Sequence, residues 1–122
     1  MTTLTMSAGA LLNAAPALAG LAGNRLPIGV SVKVARMGRI VAEFHNELMK
    51  HINPLIAKHT DGGSAISPED SGHAAFMEDA ATHFDEVLEV EVETVSLSDL
   101  SLPGVKITGR QIAVLRELGF VT

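Results

Sequence analysis

The strongest pattern in the chain is a stripe of apolar residues at Val30, Val34, Met37, Val41, Phe44, Leu48, Ile52 and Leu55. Its steps alternate between three and four residues, which places all eight on one side of a helix from about Ile28 to Lys58. The recurrence is heptad-like, with one extra four-residue step between Leu48 and Ile52 that rotates the seam. Before it, Leu11, Leu12, Ala15, Leu18, Leu21 and Ala22 predict a first helix over Met6 to Ala22, kinked or broken at Pro16. Gly23 and Asn24 stop that helix, and Leu26-Pro27 forms an extended link, because the residue before a proline is driven out of the helical region.

Residues 60–72 read as a flexible loop, rich in Gly, Ser and Asp. Ser67-Pro68-Glu69-Asp70 carries a helix-start signal that Gly72 interrupts, so the third helix is expected from His73 to about Leu88, burying Phe76, Ala80, Phe84, Val87 and Leu88. Val90-Glu91-Val92-Glu93 then alternates as a half-buried strand does, and the phase flips at Thr94 as at a bulge. Val105-Lys106-Ile107 is the expected partner strand of a small antiparallel hairpin. Thr108 and Gln111 match a capping box, opening a short last helix that buries Ile112, Leu115 and Leu118 and stops at Gly119. The fold class is therefore α+β, mostly α. It comprises a kinked N-terminal helix, a long spine helix, a third helix, a β-hairpin and a short C-terminal helix, in a single domain over residues 1–122.

Composition narrows the chemistry. With 47% apolar and 19% charged residues the chain has the makings of a packed core, yet it contains four Phe and neither Tyr nor Trp. Bases and sugars find no stacking platform beyond those Phe. The absence of Cys excludes disulfides, thiolate metal sites and thiol nucleophiles. The apolar start resembles a leader at Pro16 to Gly20 but lacks a basic region before it, and its Ala, Gly, Asn13 and Pro16 argue against a membrane span.

Charge is divided by position. Residues 1–59 hold six Lys or Arg against two Glu, and residues 60–122 hold three against twelve Asp or Glu. Lys33, Arg36 and Arg39 form a basic stripe on the long helix, and Glu91 and Glu93 lie on the solvent face of their strand. These five residues are the candidate interaction surface, within the chain or between copies. A pI near 5.4 and the lack of interleaved aromatics count against nucleic acid as the partner. Arg39 with Glu43 and Glu47 with Lys50 have the spacing of weak surface ion pairs.

Catalytic and cofactor constellations are not found. His45, His51 and His59 are six and eight residues apart, out of step for helical metal ligands. Asp79 and His83 stand four apart, read here as a solvated acid–imidazole pair in preference to a metal half-site. The carboxylates from Asp85 to Glu93 read as a negative surface, and neither a phosphate cradle nor a nucleophile elbow occurs.

Taken in order, Leu18-x-x-Leu21 before Arg25-Leu26-Pro27, the helix from Val30 to Leu48, Phe84-x-x-x-Leu88 running into Val90-Glu91-Val92, then Ser98-Asp99-Leu100 and the helix of Ile112, Leu115 and Leu118 resemble a family of small proteins of tailed bacteriophages and prophages, a domain of unknown function. The resemblance covers nearly the whole chain as hydrophobic pattern and carries over no catalytic or binding residue. It implies a phage context, in the virion or the host cytoplasm. The expected role is a non-enzymatic structural or assembly protein, without cofactor or metal, whose partners are other phage proteins or copies of itself. The heptad-like stripe supports a homo-oligomer. The alternative is an inhibitor or sequestering protein that counters a host system through its acidic hairpin.

Overall fold

The computed structural model describes all of residues 1–122. It comprises a strand β1 (Thr2–Ser7), helices α1 (Ala8–Ala22), α2 (Ile28–His59) and α3 (His73–Phe84), a strand β2 (Val87–Val92), and helices α4 (Leu97–Leu100) and α5 (Gly109–Leu118). The architecture is mostly helical α+β with a two-stranded antiparallel sheet, as the pattern predicts.

The sheet is not the expected hairpin. β2 pairs with β1, from Thr2 opposite Val92 to Ser7 opposite Val87. Val105-Lys106-Ile107 instead satisfies its central backbone with a side chain. The Asn24 amide donates to the Lys106 carbonyl at 2.9 Å and accepts from the Lys106 N–H at 2.6 Å, while its Nδ2 also reaches the Gly20 carbonyl at 2.9 Å. A primary amide presents the same donor and acceptor as a peptide group, so one Asn does here what a partner strand would do.

α1 starts at Ala8, where the Ser7 hydroxyl accepts from the Ala10 N–H, and runs without a break through Pro16. Leu11, Ala14, Ala17, Leu18 and Leu21 are buried. Burial on both sides of the proline holds the helix through the missing hydrogen bond. α2 follows Pro27, and six of its eight stripe residues are buried, with Phe44 and Leu55 half-buried. At 1.5 Å per residue its 32 residues extend about 48 Å, longer than one small core can cover.

Two clusters share that length. Val30, Val34, Met37 and Val41 join α1, the sheet, Val95, Leu100, Leu115, Phe120 and Val121 in the main core. Leu48 and Ile52 pack separately against Phe76 and Ala80 of α3. The seam turns from one set of partners to the other between Phe44, packed on the main core, and Leu48, the first stripe residue of the α3 cluster, one step before the discontinuity between Leu48 and Ile52. The spine is covered within the chain, and the stripe leaves little apolar seam for a coiled coil between copies.

α3 ends at Phe84, earlier than the pattern suggests, because Val87 and Leu88 belong to β2, with Val87 exposed and Leu88 half-buried. Ser67 to Asp70 closes only an isolated turn, and the helix waits for Gly72. A Cβ at Gly72 would collide with the His59 carbonyl, so the close approach of the α2 end to the α3 start requires glycine. After β2, Val95 forms a parallel bridge with Val121, which explains the phase flip at Thr94: the chain leaves β1 and pairs with the C-terminal segment. Thr108 and Gln111 form the expected capping box, and Gly119 closes α5 in the left-handed conformation at φ 91°.

Candidate interaction surface

The residues expected to meet a partner come together in one place. Lys33, Arg36 and Arg39 recur every three residues on α2, and Glu91 and Glu93 lie at and just beyond the end of β2. All five line a single cleft of about 230 Å³, together with Met1, Met37, Ile40 and Val92. Arg36 crosses it to Glu93 at 2.9 Å, with 56% and 37% of the two side chains exposed. At that exposure the pair is worth about 0–1 kcal/mol, enough to orient the side chains and too little to hold the fold. Lys33, Arg39 and Glu91 engage in no salt bridge within the chain. The cleft thus has an apolar floor, one internal ion pair, and three charges of both signs available to a partner.

Part of the charge division is settled internally. Arg36–Glu93 joins the basic half to the acidic half, and so does Lys58–Asp79 at 3.7 Å. Glu47 bonds Lys50 at 2.7 Å, which holds its carboxyl below the usual range, whereas Arg39 and Glu43 form no bridge.

The histidines are distributed differently from the sequence reading. Asp79 pairs with His59 of α2, at 2.8 Å, and not with His83. The hydrogen bond from His59, aided by the Lys58 charge, lowers the Asp79 pKa. His59 is largely covered and meets the edge of the Phe76 ring, the centroids 6.4 Å apart. His83 stacks on His51 with centroids 5.2 Å apart, above a pocket of about 160 Å³ floored by Leu12, Phe44, Leu48 and Leu88 and flanked by Glu47 and Glu86. Nowhere does the structure gather three or more His, Asp or Glu side chains in an arrangement that could hold a metal ion. The α2–α3 junction therefore couples two helices through His–Asp and His–His contacts, a pairing that spacing along one helix could not reveal.

No helix is long and apolar enough to cross a membrane. No protein-family model matches the chain, and neither the curated proteins nor the solved structures include a significant match.

Proposed function

We propose that the chain is a non-enzymatic bacteriophage structural or assembly protein that works through protein–protein contacts, in several copies, within the virion or in the host cytoplasm. The observation that carries this reading is the mixed-charge cleft, where Lys33, Arg39 and Glu91 surround an apolar floor without internal partners. Such a surface suits another protein better than nucleic acid: a polyanion would meet Glu91 and Glu93 beside every cation, whereas a protein can answer both signs. The phage setting comes from the family resemblance of the hydrophobic pattern.

The test is incorporation. Purified particles, or the assemblies seen by light scattering, are expected to contain the wild-type chain and to lose the Lys33→Glu/Arg39→Glu variant. A chain that is strictly monomeric and absent from particles overturns the reading. If Glu91→Lys/Glu93→Lys instead abolishes capture of a host protein while assembly persists, the chain is an inhibitor.

A further inference from the structure

The ladder between β1 and β2 fixes which backbone groups of β1 are spent. Ala8 donates to the Glu86 carbonyl at 2.9 Å, in register with the pairs Thr2–Val92 to Ser7–Val87. Hydrogen-bonded and non-hydrogen-bonded pairs alternate in an antiparallel ladder, so Thr2, Leu4 and Met6 turn their N–H and C=O groups to β2. Thr3 and Thr5 turn theirs to the other edge. No backbone hydrogen bond outside the ladder involves residues 1–7, and Thr3 and Thr5 are exposed.

That edge lacks the usual protection. Edge strands are commonly guarded by charges, proline or covering segments. β1 reads Thr-Thr-Leu-Thr-Met-Ser, with no charge, no proline and three β-branched residues. β2, by contrast, carries Glu89 and Glu91, and the chain beyond it, from Val95 to Leu97, is already bonded to Phe120 and Thr122.

We propose that the free edge of β1 pairs antiparallel with the same edge of a second copy, making a four-stranded sheet in the order β2-β1-β1-β2. A two-fold axis at Leu4 sets Thr3 opposite the second copy's Thr5 and forms about four main-chain hydrogen bonds. Charge selects this occupant. Glu91 shares a face with Thr3, and Glu89 with Thr5. In the four-stranded sheet the carboxylates of the two copies therefore lie three strand spacings apart. At about 14 Å, this exceeds the Debye length of about 8 Å at physiological salt. Pairing β2 with β2 would bring glutamates to about 5 Å. Because the contact is isologous it closes at two copies and leaves no further β1 edge open.

The proposal rests on the multi-copy reading above, and the experiment separates the two. Sedimentation equilibrium of the full chain is expected to show a dimer. Thr3→Lys/Thr5→Lys, which charges the edge but keeps its N–H groups, and Thr5→Pro, which removes one outward N–H, are expected to raise the dissociation constant at least about tenfold with unchanged far-ultraviolet circular dichroism. If the wild type assembles and the folded double-Lys variant assembles equally well, the edge proposal is overturned and the multi-copy reading stands. A wild type monomeric at its highest soluble concentration overturns the edge proposal, and overturns the multi-copy reading as well if the chain is also absent from particles; if the edge of that monomer takes up an unrelated extended peptide, the occupant is a foreign strand.

Discussion

Asn24→Ala removes the one side chain that ties the 101–108 segment to the end of α1. The amide makes three hydrogen bonds, to the carbonyls of Gly20 and Lys106 and from the Lys106 N–H. A net hydrogen bond in a folded protein is worth about 0.5–1.5 kcal/mol, and two of these three are exposed, which puts the loss near the lower end at about 2 kcal/mol. For a chain of 122 residues, an unfolding entropy of about 2.1 cal/mol/K per residue turns that into a fall in Tm of about 8 °C. The chain has neither Trp nor Tyr, so the transition is best followed by circular dichroism at the helical band, with urea midpoints at constant slope as the second measure. Asn24→Asp keeps the acceptor for Lys106 but sets a carboxylate against two carbonyls at a helix C-terminus, and is expected to cost at least as much. Lys106→Ala, whose side chain takes no part, is the control and should stay within about 0.5 kcal/mol of wild type. An Asn24→Ala variant equally close to wild type would refute the account of the latch.

Two further perturbations probe the termini of the helices and the α2–α3 junction. Gly119→Ala forces a Cβ onto a residue at φ 91° and to 2.8 Å from Leu4 Cδ2, and should cost about 1–3 kcal/mol; Gly109→Ala, in open space at the first turn of α5, should gain about 0.5 kcal/mol by urea titration. Asp79 has its folded pKa depressed below 3.8 by His59, so its contribution is fully present above the unfolded value and is lost as pH falls through the folded one. The urea midpoint of wild type should drop toward that of Asp79→Asn as pH falls from 5 to 2.5, and a constant difference across that range would sink the assignment.

The α2 spine was readable because its partners impose one period along its whole length, and the Thr108–Gln111 cap because both members lie within four residues. What escaped was non-local. Thr2–Ser7 has the β-branched content and the inward Leu4 and Met6 of a half-buried strand, but its partner lies 80 to 90 residues away. Val105-Lys106-Ile107 looked like the nearer choice, and nothing in its composition says that Asn24 occupies its edge. Ser96-Leu97-Ser98-Asp99 did carry a local signal, the capping box that opens α4, hidden inside what reads as a turn. The five charged residues of the cleft were legible as two stripes. That they face one another depends on the end of β2 reaching α2, where Arg36 meets Glu93, a placement that the β1 pairing and the shared core of Val92 and Met37 bring about.

The β1–β2 pairing also sets an order of events. During synthesis, β1 emerges first and its ladder partner follows only after the three long helices between them. At about 5–20 residues per second that is a wait of about 4 to 16 s. Through this interval β1 lacks its ladder partner, so the sheet closes only after all three helices between its two strands have been made.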